Sequence, residues 1–420
     1  MKSLDIALLT YSTKPRGSVI HTLELAEALH NRGHRVCIYA LDKDGQGFDR
    51  PVACEVRLIP TQPAAADLDQ LIQQRTQEFI DFLVWQFRLG DRPHQIYHAQ
   101  DCLSANAVLQ FRESVGRKYM PCIVRTIHHI EAYTSPYLRD CQDRSIRQAD
   151  LCLCVSQHWQ QQIYDHYGIH TPRVNNGINV QRFASTAMRQ DSPELQGDVQ
   201  APVLNPSQSR AIRTAHEPTN APTHPDPFRF LTVGGIEPRK NSINLVRAFA
   251  KVKAAYPDTQ LVIVGGATLF DYQAYRDEFF EEVSRLNLRV GEDLLLPGVV
   301  PDAELPGIYQ SAHAFIFPSL KEGWGMVVLE AIASRLPVIV SQQPPFTEFL
   351  EADQALWVDP AASDSIAEAM LRVTEEAIAS SLRERSQSVL PRYSWSASAQ
   401  LHETHYRQYL ASIFAHKTLS

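Results

Sequence analysis

The chain alternates short apolar runs with amphipathic stretches, does so twice, and breaks once in the middle at a proline-rich segment. In the first half the apolar runs fall at residues 5–10, 35–41, 54–59, 95–98, 121–127 and 151–155. Between them lie stretches such as residues 20–31, where Leu23, Ala26 and Leu29 recur at helical spacing. Short strands separated by helices predict a parallel sheet covered on both faces, because each connection between parallel strands must cross back over the sheet. From Phe228 the pattern restarts. Strands are expected at residues 230–233, 261–264, 294–296, 313–317, 337–340 and 355–358, and helices at 241–253, 272–286, 326–333 and 364–376.

This grammar describes an α/β chain of two doubly wound domains facing a central cleft. The first spans residues 1–182 and is rejoined by a final helix over 395–416; the second spans 228–394. Residues 186–227 hold seven of the chain's 26 prolines and no aromatic residue. Such a segment lacks the apolar surface that would offset its ordering entropy, so it is expected to be a solvated, flexible insertion or linker.

Composition closes off other classes. With 44% hydrophobic and 21% charged residues over 420 positions, disorder, collagen and coiled coil are excluded. A net charge of −7 offers no basic footprint for nucleic acid. Asp5 interrupts any signal-type apolar stretch, and no run approaches the roughly 18 apolar residues that span a bilayer. A cytoplasmic protein is expected. The apolar, aromatic stretch at residues 79–87 (FIDFLVWQF) has two readings, burial against the first sheet or peripheral contact at the inner membrane surface. All seven cysteines lie between Cys37 and Cys154 without metal-site spacing, which reads as buried reduced thiols.

Several motifs are missing. No G-x-G-x-x-G closes a strand; at Gly45 and Gly47 the sixth position is Arg50. No Gly-Lys-Ser/Thr forms a phosphate loop. The run His402–Glu403–Thr404–His405 is one residue short of the spacing that places two imidazoles on one helix face. Two D-x-D runs, Asp42–Lys43–Asp44 and Asp67–Leu68–Asp69, read as solvated turns, and Lys43 would oppose a divalent cation. No metal site is expected.

The second half carries the positive signal. Phe317–Pro318–Ser319 ends a strand, and Lys321–Glu322–Gly323–Trp324–Gly325 turns into the helix opened by Met326, giving an E-x(7)-E pair, Glu322 and Glu330. Glycines let backbone N–H groups approach a ligand, and a helix N-terminus favours phosphate. A carboxylate inside that helix can accept hydrogen bonds from both hydroxyls of a ribose. In the same domain Gly234, Gly235, Arg239 and Lys240 follow the first strand, and two adjacent cations suit a diphosphate. The first half adds an anion turn at Lys14–Pro15–Arg16–Gly17–Ser18 and a histidine, His128, at the carboxyl end of an interior strand.

Together these residues resemble the nucleotide-sugar glycosyltransferases of the GT-B fold, specifically the large retaining family numbered four. The likeness covers nearly the whole chain outside the insertion and is most specific over residues 317–340 (FPSLKEGWGMVVLEAIASRLPVIV), followed by Glu348. It includes Gly17, His128, Asn176–Gly177–Ile178 and the return helix near Tyr393 and Trp395. It implies two Rossmann-like domains and a metal-independent transfer. Glu330 would hold the ribose, and Glu322 the hydroxyls of the transferred sugar. Arg239, Lys240 and backbone at Gly17, Gly323, Trp324 and Gly325 would hold the diphosphate, with His128 facing the sugar. The chain departs from the family where Gly235 stands in place of an arginine, where Gln342–Gln343–Pro344–Pro345 replaces glycines, and where Arg335 replaces a glycine.

The expected activity is transfer of a sugar from a nucleoside diphosphate, UDP or GDP, to an acceptor hydroxyl with retention of configuration. The acceptor would be a saccharide, a lipid-linked sugar or a small molecule, and no cofactor is needed. Alternatives are a nucleotide-sugar epimerase, which needs no acceptor, and a non-catalytic sugar-nucleotide-binding protein.

Overall fold

A computed structural model describes residues 2–120, 122–184, 227–266 and 272–418, with side chains to 413. Most of the expected insertion at 186–227 lies outside the described residues. Two six-stranded parallel sheets carry the molecule. The first comprises β1 (Asp5–Thr10), β2 (Arg35–Asp42), β3 (Glu55–Pro60), β4 (Ile96–Ala99), β5 (Cys122–Ile127) and β6 (Leu151–Cys154), in the order β3-β2-β1-β4-β5-β6. The second comprises β7 (Phe228–Val233), β8 (Thr259–Val264), β9 (Leu294–Gly298), β10 (Ala314–Phe317), β11 (Val338–Ser341) and β12 (Leu356–Val358), in the order β12-β11-β10-β7-β8-β9. Read from its other edge, the second sheet repeats the winding of the first. Each order reverses beside its opening strand, which leaves a crevice at the carboxyl ends of the strands.

Period-two alternation builds both cores. In β1, Ala7 and Leu9 face one cluster and Ile6 and Leu8 the other, all fully buried. The first cluster lies under α2 (Leu68–Arg88) and α3 (Cys102–Val115), the second under α1 (Gly17–Asn31). Helices α4 (Pro136–Arg147), α5 (Gln157–Tyr167) and α6 (Val180–Ala184) complete the first lobe and its exit. The second sheet packs between α7 (Ser242–Ala255), α8 (Gln273–Arg285) and α12 (Ser363–Arg372) on one face and α9 (Leu305–Ser311), α10 (Met326–Ala333) and α11 (Phe346–Phe349) on the other. Helix α13 (Glu376–Ser386) follows, and α14 (Trp395–Thr418) returns to α1 through Trp395, Ala399 and Tyr406.

The chain crosses between lobes twice at one point, and Gly177 makes that possible: a Cβ there would stand 2.2 Å from the backbone nitrogen of Trp395. All twelve expected strands form, with ends moved by one or two residues. The helix expected at 364–376 forms as α12 but stops at Arg372, and α13, which the sequence reading did not anticipate, begins at Glu376. The short helices α9 and α11 have no counterpart in the sequence reading, because one or two turns give too little period to detect. The stretch at residues 79–87 divides by helical face: Phe79, Ile80 and Leu83 are buried, and Trp85 is 52% exposed. No described helix is long and apolar enough to cross a membrane, and all seven cysteines are unpaired thiols. Arg335 takes a left-handed φ of 59°, a backbone conformation that favours glycine.

Candidate active site

The doublet Arg239–Lys240 sits in a single 3₁₀ turn at the end of the loop that leaves β7. The next residue, Asn241, is also left-handed (φ 63°) and spends its side-chain amide on the carbonyls of Pro318 and Pro360, at 3.0 and 2.6 Å. The cationic turn is thereby fastened to the carboxyl ends of β10 and β12.

Glu322 meets the doublet there. Its Oε1 lies 2.6 Å from Lys240 Nζ, 3.2 Å from Arg239 Nη1 and 2.8 Å from Ser319 Oγ. Arg239 is shared, with its Nε 3.0 Å from Glu237. Burial alone would raise the Glu322 carboxyl, but the Lys240 and Arg239 charges outweigh it and hold the group below the ordinary carboxylate range. Lys240 moves the opposite way to its usual tendency on pairing: burial first, then repulsion from Arg239, push its ammonium down. A buried site with two cations and a shared carboxylate is poised to exchange that carboxylate's hold for an incoming anion.

Glu330, in the second turn of α10, is held apart from this cluster. Its Oε2 accepts from the Tyr309 hydroxyl at 2.8 Å, and burial raises its pKa to about 7. One carboxylate oxygen therefore remains for a ligand hydroxyl. Tyr309 belongs to the unanticipated helix α9.

The first lobe closes directly on this site. His128 follows β5, and its carbonyl is so close to Gly323 that a Cβ there would lie 2.5 Å away. Gly17 opens α1 opposite Met326, whose Cε would stand 3.9 Å from a Gly17 Cβ. Lys321 Nζ donates to the Ile130 carbonyl at 2.6 Å, and the Trp159 indole N–H donates to the Glu322 carbonyl at 2.8 Å. Glu348 accepts from the backbone N–H groups of Gln157 and His158, at 2.7 and 2.8 Å, so its carboxylate caps α5 across the lobes. His128 Nε2 lies 3.1 Å from Gln100 Oε1. Burial and the nearby His21 and Arg125 keep its imidazole neutral, well below the ordinary histidine value.

The structure brings Glu322, Arg239, Lys240, Gly323 and His128 together as expected and corrects other assignments. The Trp324 ring is buried against Phe349 and Tyr393, with ring centroids 5.1 and 5.2 Å away, so any contribution of Trp324 to the loop is through its backbone. Gly234 has no N–H to offer a phosphate, because it donates to the Val264 carbonyl at 2.7 Å. Its bare Cα instead lets the Lys240 chain lie across it, and Gly235 admits the Gly266 carbonyl. Gly325 caps α10 in a left-handed turn against Phe346. Sequence reasoning missed Ser319, Tyr309 and Trp159. It also missed Glu131, a first-lobe carboxylate 2.6 Å from His129 Nε2 that acts electrostatically on Arg239. The only signal for Glu131 was its place just beyond His128.

The D-x-D carboxylates are engaged elsewhere. Asp42 accepts from the Gly47 N–H, Asp44 pairs with Lys14, Asp67 caps α2 and Asp69 accepts from Ser135. Among the described residues no three His, Cys, Asp or Glu side chains group as metal ligands.

Comparison with known proteins agrees with this arrangement. A family model described as Glycosyltransferase Family 4 matches residues 15–182, and one described as Glycosyl transferases group 1 matches residues 216–388. The O-antigen chain mannosyltransferase B of Escherichia coli is 31% identical over 35% of this chain and 36% of its own length. The matched stretch thus spans about a third of that relative. The phosphatidyl-myo-inositol mannosyltransferase of Mycolicibacterium smegmatis is 25% identical over 92% of this chain and 89% of its own. Among solved structures, sucrose-phosphate synthase from Thermosynechococcus elongatus superposes with a TM-score of 0.71 at 21% identity, covering 97% of this chain and 99% of that one. Anabaena HepE, in complex with UDP and glucose, superposes at 0.68 and 18% identity, covering 96% and 99%. The chain is a family-four glycosyltransferase with the GT-B fold.

Proposed function

We propose that the chain transfers a hexose from a nucleoside diphosphate sugar, UDP- or GDP-linked, to an acceptor hydroxyl, without a metal and with retention of anomeric configuration. The observation that carries this reading is the single buried cluster of Lys240, Arg239 and Glu322 facing His128 across the cleft. Lys240 and Arg239 would neutralise the charge that develops on the departing diphosphate, in a site where exclusion of water strengthens each contact. Glu322 would orient the two cations before the donor arrives and take up the sugar's hydroxyls once it is bound. Glu330, with its free oxygen, would hold the ribose, and neutral His128 would offer the sugar a hydrogen bond without adding charge.

Retention is supported by the way the lobes meet. The acceptor must approach from the first-lobe side, over the same sugar face from which the diphosphate leaves. Glu131, a first-lobe carboxylate that acts on Arg239, is occupied by His129, which favours direct same-face displacement over a covalent intermediate. Relatives named as mannosyltransferases support a hexose, and the HepE complex with UDP supports a uridine or similar donor.

Mass-spectrometric screening of donor hydrolysis against UDP-, GDP- and ADP-sugars identifies the donor. Loss of turnover in Lys240→Ala and Glu322→Ala is expected; undiminished turnover in both would refute the site.

A further inference from the structure

Strands β4 and β5 lie side by side inside the first sheet, with Ile96 opposite Cys122 and His98 opposite Val124. Side chains alternate along each strand, so Ile96 and His98 share a face with Cys122, Val124 and Thr126, and that face packs against α1 and α14. The polar side chains of this row, together with Gln100 just past β4, form one hydrogen-bonded chain; His98, Gln100 and Thr126 are all buried. His98 Nδ1 lies 2.6 Å from the hydroxyl of Tyr406 in α14. His98 Nε2 lies 2.7 Å from Thr126 Oγ1 and 3.3 Å from Gln100 Nε2. The chain ends at the candidate site, where Gln100 Oε1 lies 3.1 Å from His128 Nε2. The His128 ring also meets His21 of α1 edge-on, with centroids 4.9 Å apart.

The direction of each bond follows from what the groups can give. An amide donates through nitrogen and accepts only at oxygen, while a neutral imidazole has one donor and one acceptor nitrogen. His98 is neutral, held so by burial and by His402 and His21 beside it. Two donors, the Gln100 amide and the Thr126 hydroxyl, converge on its Nε2, so that nitrogen is the acceptor and Nδ1–H donates to Tyr406. Gln100 Oε1 is left to accept from His128 Nε2–H. The other nitrogen of His128, Nδ1, forms no hydrogen bond among the described residues and keeps its lone pair. We propose that Gln100 is a positioning residue that passes the polarity of the His98, Thr126 and Tyr406 network to His128, holding the proton on Nε2 and leaving Nδ1 to accept from a hydroxyl of the transferred sugar. The assignment rests on the glycosyl-transfer reading above and specifies how His128 serves it. An imidazole free to rotate or to exchange tautomers meets the sugar correctly only part of the time, and misalignment costs turnover. Loss of the Gln100 amide leaves His98 Nε2 bonded to Thr126, so it releases His128 without stranding the rest of the network.

The test uses the full chain with the donor found by hydrolysis. In protein carrying isotopically labelled histidine, long-range nitrogen–proton NMR spectra separate protonated from unprotonated ring nitrogens, and the His128 signals are those missing from His128→Gln. They should show the proton on Nε2 in the unaltered chain and a mixture of tautomers in Gln100→Leu. Turnover in Gln100→Leu should fall by about tenfold, with the donor KM unchanged. Because Gln100 acts through His128, adding His128→Gln should cost nothing further, whereas independent roles would multiply to a loss of roughly 100-fold. A proton on Nδ1 in the unaltered chain, unchanged turnover in Gln100→Leu, or multiplied losses in the double variant would overturn the assignment and leave the transfer reading intact. Absence of any donor turnover by the unaltered chain would end both.

Discussion

The two lobes wind six strands in the same order, yet they solve the problem of polar groups at the strand ends in opposite ways. In the second lobe the loops after β7 and β10 bury charge and compensate it: Arg239 lies between Glu237 and Glu322, and Lys240 is paired to Glu322. In the first lobe the corresponding interior is filled with histidines that burial keeps neutral. His21 is pushed down to about 4 and His402 to about 3, while His98 and His128 lie well below the ordinary value. Both ring nitrogens of His98 are satisfied, by Tyr406 and Thr126 at 2.6 and 2.7 Å, while His21 meets Asn176 through Nδ1 alone, at 2.9 Å. The second lobe thus fixes compensated charge at its strand ends while the first-lobe histidines stay neutral, and a reaction that expels a diphosphate needs its fixed charge on the donor side. A buried charge survives where its counter-charge is built in; elsewhere the group gives up its proton.

The largest expected effect tests the compensated wall. Lys240→Met leaves Glu322 buried without its nearest cation, so transfer should fall roughly 100- to 1,000-fold and the fold should lose about 3–5 kcal/mol, read by steady-state kinetics and urea unfolding. Loss of activity with unchanged stability would mean that Glu322 does not depend on this pairing. Next comes the contact between the walls. Gly323→Ala places a Cβ against the His128 carbonyl, and the displaced loop should cost about 100-fold in turnover, with little change if the lobes do not close this way.

A pH series separates the walls further. Glu330 must be a carboxylate to accept from ribose hydroxyls, so donor KM should rise as pH falls below about 7. Tyr309→Phe removes a hydrogen bond that lowers this pKa, so the rise should begin at higher pH. A rise that starts at the same pH in both proteins would detach Glu330 from donor binding. The smallest effect sharpens the neutral wall. Because His128 is uncharged throughout, His128→Gln should lower turnover by about tenfold at every pH from 6 to 8. A loss confined to the acidic side would show that His128 carries charge after all.

Much of this contrast was legible in the sequence, for reasons that particular residues make clear. Apolar runs identified all twelve strands because most lie inside a sheet covered on both faces, where hydrophobicity is nearly continuous; the edge strand β3 is largely exposed. Glu322 and the cationic doublet were legible because each sits in a turn bracketed by glycine or proline at a strand end, and Glu330 because it lies in the helix that this turn opens. What stayed hidden was partnership across long separations. Nothing local shows that Glu348 caps α5, that Tyr309 holds Glu330, or that the Gly234 N–H is consumed by the sheet. The inward turn of the Trp324 ring to Phe349 and Tyr393 was equally hidden, because it stands between two loop glycines.

Crystals grown with the nucleoside diphosphate released in the donor screen test the compensated wall most directly. The β-phosphate should lie within about 3 Å of Lys240 Nζ and the Arg239 guanidinium, with the ribose hydroxyls on Glu330. A diphosphate bound on the first-lobe wall, or one that leaves the Lys240–Glu322 pair undisturbed and out of reach, would contradict the account.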